Sequence, residues 1–137
     1  MEEPVHLWEL EAIAKSQGIE PGPGDAPLVY SGREAFEREG GDYQTAPRPG
    51  VHASTVKYVR DRDISLLGWD FMEVTSDEYK RECPVHGVIY SYGVALLDNA
   101  DLGGLAVAER RYEFMLSVQL LRVVRGSGSP LNPTALF

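Results

Sequence analysis

Cysteine is all but missing from this chain. Cys83 stands alone, so no internal disulfide can form. Histidine is scarce too: His6, His52 and His86 are the complete set, and no two are four residues apart. Basic residues are in the minority, 13 Lys and Arg against 21 Asp and Glu, for a formal net charge of −8. Such a chain repels a phosphate backbone, which argues against nucleic acid as a partner. No apolar run approaches the ~20 residues that cross a bilayer. The opening Met1-Glu2-Glu3-Pro4 is acidic and lacks the basic and apolar regions of a secretory signal. The expectation is a cytoplasmic protein with neither nucleic acid nor membrane as partner. No Ser-His-Asp or Cys-His spacing suggests a nucleophile. Gly126-Ser127-Gly128-Ser129 lacks the lysine and the following helix of a phosphate loop.

What is present is ordinary for a globular chain: 43% hydrophobic residues over 137 positions, enough for one domain, 1–137, with a real core. Leu7, Leu10, Ile13 and Ala14 recur at helical spacing, so a helix is expected over Pro4 to Gln17, ended by Gly18. A proline- and glycine-rich link follows, then a short strand at Leu28-Val29-Tyr30. Glu34 to Glu39 reads as a helical turn and Gly40 to Gly50 as a loop. A second helix is expected from His52 to Arg60 and a strand over Ile64 to Gly68, with Asp70 just past its end. Phe71 to Cys83 is a charged excursion, with helical turns possible over Thr75 to Arg81. A short helix weakened by Gly103-Gly104 is expected over Leu102 to Arg110. Tyr112 to Val124, rich in Phe, Met, Leu and Val, reads as the longest strand. Arg125 to Pro130 reads as a bend, and the chain returns as a last strand near its end.

The stretch that organises the rest runs from Pro84 to Asp98. A helix is expected from His86 to Tyr92, a turn at Gly93, and a buried strand over Val94 to Leu97. His86 then stands at a helix start and Asp98 at a strand end, so both can face one crevice. Two readings are open. An imidazole and a carboxylate that converge can bind a divalent metal. Equally, His86 can be a buried ring with one hydrogen bond, while Asp98 or Asp101 caps the next helix. His52 has a local reading, a hydrogen bond at a helix mouth, beside a functional one. Asp70, outside a strand's carboxyl end, is placed for a ligand crevice or for a turn.

Several segments fall in an order that resembles the cyclase-type metal-dependent hydrolases, the family of kynurenine formamidase and isatin hydrolase. They are Pro49-Gly50-Val51-His52-Ala53-Ser54, Arg62-Asp63-Ile64-Ser65-Leu66-Leu67-Gly68-Trp69-Asp70, Pro84-Val85-His86, Leu97-Asp98-Asn99-Ala100-Asp101-Leu102, Glu113-Phe114 and Gly126-Ser127-Gly128-Ser129-Pro130-Leu131-Asn132-Pro133. The likeness runs from about Trp8 to Phe137 and covers the family's C-terminal half. It implies an α/β fold, a β-sheet core with flanking short helices, similar to the C-terminal part of the swivelling β/β/α architecture. It also implies hydrolysis of amide or cyclic-amide bonds at a zinc or manganese centre. By that resemblance His86 and Asp98 fall at late metal ligands, with His52 and Asp70 as substrate-binding helpers and Glu73 a further one. The family's histidine-rich motif, His-x-Gly-Thr-His-x-Asp-x-Pro-x-His, belongs to the other half and is missing here. The chain is therefore expected to be a fragment of a longer hydrolase or a half-enzyme completed by a complementary half-chain, and to form a homo-oligomer through an exposed apolar flank. The alternative is a non-catalytic binding or assembly module built on the same fold.

Overall fold

Alternating side chains on three short strands sort the apolar residues onto the two faces of one parallel sheet. The computed structural model describes residues 3–45, 50–71, 80, 83–106 and 111–137. The strands are β1 (Leu28–Val29), β2 (Leu66–Trp69) and β3 (Ala95–Leu97), in spatial order β1-β2-β3. Leu28 pairs with Gly68, and Gly68 pairs with Leu97 on its other side. Successive side chains on a strand point to opposite faces. Val29, Leu67 and Trp69 accordingly join one buried cluster, while Leu28, Leu66 and Leu97 join another.

Helices cover the first face. They are α1 (Leu7–Gln17), α3 (Thr55–Asp61) and α4 (Gly87–Tyr92), which contribute Leu10, Tyr58, Val59 and Val88 to the larger cluster. α3 lies in the connection from β1 to β2 and α4 in that from β2 to β3, as parallel pairing requires. α1 ends where Gly18 adopts φ 71°, and α4 where Gly93 adopts φ 68°, the left-handed conformation that glycine takes without a Cβ penalty. The second face holds Ala100 and Leu102, with Leu105 and Leu131 packed beside them. Two short helices, α2 (Arg33–Arg38) and α5 (Gly103–Ala106), follow β1 and β3.

Gly68 sits where the second face is tightest. A Cβ there would lie 2.5 Å from Leu28 Cδ2 and 3.2 Å from Leu97 Cβ, so the flanking strands close over it. Its smallness lets both leucines pack across the central strand.

Several elements are shorter than the sequence suggests. α1 begins at Leu7 rather than Pro4, and the His6 N–H donates to Glu9 Oε2 at 2.8 Å. α3 begins at Thr55 rather than His52, because residues 52–54 form a turn joined to the N-terminus by a parallel Val5–Val51 bridge. The strand expected over Tyr112 to Val124 is regular only as β4 (Met115–Ser117), paired antiparallel with β5 (Thr134–Leu136). β5 offers three partners, and no other described strand pairs with Leu120 to Val124. α5 is four residues long; positions 107–110 of the helix expected there, and the turns expected over Thr75 to Arg81 apart from Lys80, lie outside the described residues.

Candidate functional site at the carboxyl ends of the parallel strands

A strand that ends inside the protein must satisfy its last polar groups. After β2, Asp70 is fully buried. Its Oδ1 accepts the Ser31 N–H at 2.8 Å, and its Oδ2 accepts the Gly32 and Arg33 N–H groups at 2.8 and 3.0 Å. A carboxylate held by three amides is stable where it is buried. Asp70 thus ties the end of β2 to the start of α2 and faces the protein's own backbone. Gly32 makes this possible by adopting φ 92°.

Arg33 continues the junction toward β3. Its Nη1 donates to Asn99 Oδ1 at 2.7 Å, to Asn99 O at 3.1 Å and to Asp70 O at 3.4 Å. Asn99 stands at φ 56°, a conformation asparagine tolerates better than most residues. The neighbouring Glu34 reaches α5. Its Oε1 accepts the Leu102 and Gly103 N–H groups at 3.1 and 2.9 Å. Burial opposes the charge on Glu34. The backbone donors, a hydrogen bond shared with Asp101 and the Arg33 charge more than reverse this and hold its carboxyl below the ordinary glutamate range. The Leu102 and Gly103 amides, for which Asp98 or Asp101 was one open reading of the sequence, are therefore taken by a residue of α2.

Beside this junction His86 and Asp98 meet. Their Nε2 and Oδ2 atoms are 3.8 Å apart, and the side chains are 39% and 31% exposed. His86 is positioned as the residue preceding α4, and its ring stands edge-on to the buried Trp69, with centroids 6.1 Å apart. Asp98 follows β3 directly and precedes the Arg33-bound Asn99. The pair is thus fixed by a helix start, a strand end and an indole wall, and both side chains reach solvent.

His52 lies at the mouth of α3. It is 4% exposed, and its Nδ1 accepts the Ser54 N–H at 3.1 Å. A neutral ring therefore carries its proton on Nε2. The Ser54 hydroxyl accepts the Leu7 N–H at 3.0 Å, which joins the start of α1 to α3. His52 also lies against His6, with centroids 4.1 Å apart, and His6 stacks on Trp8. α3 runs back along the sheet before β2, so its first turn lies toward the carboxyl ends of the strands, the same end as Asp70, His86 and Asp98. Glu73 lies outside the described residues. Among the described residues, no three His, Cys, Asp or Glu side chains group around one cation position. Cys83 is exposed and stands at φ 43°.

The sequence reading did not single out Arg33, Glu34, Ser54 or Asn99. One signal for them was available: Gly32 and Asn99, two residues tolerant of positive φ, each adjoin a strand-end polar run.

No family model and no curated protein matches this sequence. A solved structure does: the crystal structure of a chain described as a novel cyclase, with a TM-score of 0.74 and 24% identity. The likeness covers 98% of this chain and 46% of that one. The α/β fold expected from the sequence is thus the observed one, and it is the fold of a cyclase chain. The present chain spans a little under half the length of that neighbour.

Proposed function

We propose that this chain carries part of a metal-dependent hydrolase site of the cyclase type, acting on amide or cyclic-amide bonds. The observation that supports the reading is the approach of His86 Nε2 to Asp98 Oδ2, 3.8 Å, at the carboxyl end of the sheet. Two ligands on a zinc-like ion at about 2.1 Å stand roughly 3.0–3.6 Å apart for angles of 90–120°. Small side-chain rotations bring the pair into that range. One imidazole nitrogen with one carboxylate oxygen also suits zinc or manganese.

In this reading His86 and Asp98 hold the metal, and the remaining ligands come from the other half of the fold, outside residues 1–137. When bound, such an ion supplies a water of lowered pKa and a polarised carbonyl. Trp69 limits the imidazole to one orientation. Arg33, through Asn99, fixes the backbone next to Asp98. Asp70 takes a positioning part, because its oxygens are occupied by the amides that order Arg33. His52, at the same end of the sheet, is the residue that the family resemblance offers to a substrate carbonyl.

The test is calorimetric titration of the chain with zinc or manganese, because two ligands alone hold a metal weakly. Binding that is lost in His86→Ala and in Asp98→Ala supports the reading, with hydrolysis of N-formylkynurenine or isatin expected only once the remaining ligands are supplied. A well-folded chain that binds neither metal, or binds one equally well in both variants, overturns it and leaves a binding or assembly module.

A further inference from the structure

Arg33 is bonded on one side only. A charge taken out of water is ordinarily matched by a counter-ion and a full set of hydrogen bonds. The Arg33 side chain is 12% exposed, and a guanidinium carries five N–H donors in a rigid fork. Nη1 donates to Asn99 Oδ1, Asn99 O and Asp70 O, all of them neutral acceptors. Nε is buried and has no hydrogen-bond partner. Nη2 makes no hydrogen bond among the described residues. Nε–H and one N–H of Nη2 point the same way, along the edge on which a guanidinium takes a carboxylate by two parallel bonds. That edge is the part of Arg33 left without acceptors.

The acids around it are engaged elsewhere. Asp70 gives both oxygens to the Ser31, Gly32 and Arg33 amides, and Glu34 gives Oε1 to the amides of Leu102 and Gly103. Glu37 approaches the edge, but its Oε2 stops 3.9 Å from Nε, beyond hydrogen-bond reach. Its side chain is 40% exposed, so a rotation carries it into water. The guanidinium itself is held: Asn99 fixes the Nη1 end, and the Tyr43 ring centroid lies 5.1 Å from Cζ. A receptor already oriented loses little freedom on binding. Asn99 adjoins Asp98, so this charge stands at the strand ends beside the His86–Asp98 approach, where open α/β sheets take ligands.

We propose that the Nε/Nη2 edge of Arg33 receives the carboxylate of a small-molecule ligand, with Glu37 giving way to it. One carboxylate oxygen accepts Nε–H and the other accepts Nη2–H. Asp70, Glu34 and Asp98 stand near, and they oppose a doubly charged phosphate more than a singly charged carboxylate. The assignment stands without the metal reading, which concerns His86 and Asp98. Where that reading also holds, the ligand is an amide that bears a carboxylate.

The test is a titration of the full chain, free of metal, followed by proton–nitrogen NMR at the arginine Nε–H signals. Arg33→Lys identifies the Arg33 signal by its loss. Benzoate should shift that signal saturably, and benzamide, its neutral counterpart, should leave it in place. Glu37→Gln should tighten benzoate about threefold or more, because a competing charge is gone while Arg33 keeps its bonds. Arg33→Lys keeps the charge but not the fork, and should weaken benzoate about tenfold or more, read at the backbone amides of Asn99 and Tyr43. An Arg33 signal that benzoate moves in neither the wild type nor Glu37→Gln overturns the proposal. So does an equal shift by benzamide, or tighter binding of inorganic phosphate than of benzoate. With no metal in the sample, failure here and failure of the metal titration are read separately.

Discussion

The Gly103 N–H donates to Glu34 Oε1 at 2.9 Å, across 69 residues of sequence. The same oxygen takes the Leu102 N–H, so one carboxylate starts α5 from α2. Glu34→Ala should cost about 1–2 kcal/mol in denaturant unfolding, the usual loss of a charged cap. The pH dependence has a definite sign. The folded carboxyl lies below its unfolded value, so its stabilisation is present above the unfolded pKa, about 4.3, and is lost as pH falls through the folded pKa. Glu34→Gln should flatten that acid limb relative to wild type. Equal limbs in the two proteins would rule out the role.

Asp70 should be the most costly polar residue to remove. Asp70→Ala leaves three amides without their acceptor at a fully buried site. A loss of about 3 kcal/mol or more is expected in urea unfolding. A change under about 1 kcal/mol would mean that water replaces the carboxylate freely.

His86→Ala and Asp98→Ala should behave in the opposite way. Both side chains are about a third exposed, so the contact between them is screened by solvent. Each should cost less than about 1 kcal/mol in stability. Each should lower zinc or manganese affinity at least tenfold in calorimetric titration. Stability loss as large as that of Asp70→Ala would assign the pair to the scaffold.

Gly68→Ala tests the close approach of the three strands. The new methyl meets Leu28 Cδ2 and Leu97 Cβ, and about 1–3 kcal/mol of overpacking is expected. Leu28→Ala combined with it should cost less than the sum of the two single changes, read as a coupling energy in a double-mutant cycle.

The sheet was legible because apolar runs of three or four residues, bounded by Gly93, Asp70 and the 21–27 link, leave little choice but buried strands. The approach of His86 to Asp98 was legible for the same reason: the turn at Gly93 reverses the chain, so a helix start and a strand end come to one side. The ties among Arg33, Asp70, Asn99 and Glu34 were hidden. They join positions up to 69 residues apart through backbone amides, and amides carry no residue signature. The C-terminal segment misled for a related reason. Val, Leu and Phe mark Tyr112 to Val124 as strand-forming, but a strand exists only where a partner supplies hydrogen bonds, and β5 supplies three residues.

Parallel order in the small sheet has a consequence for how the chain is made. Leu28 waits for Gly68, forty positions later, and Leu66 waits for Ala95, twenty-nine later. Until Leu97 leaves the ribosome, the nascent chain has no closed sheet to shield Val29, Leu67 or Trp69. Long-range parallel pairing of this kind forms slowly and leaves apolar strands open to association until it is complete.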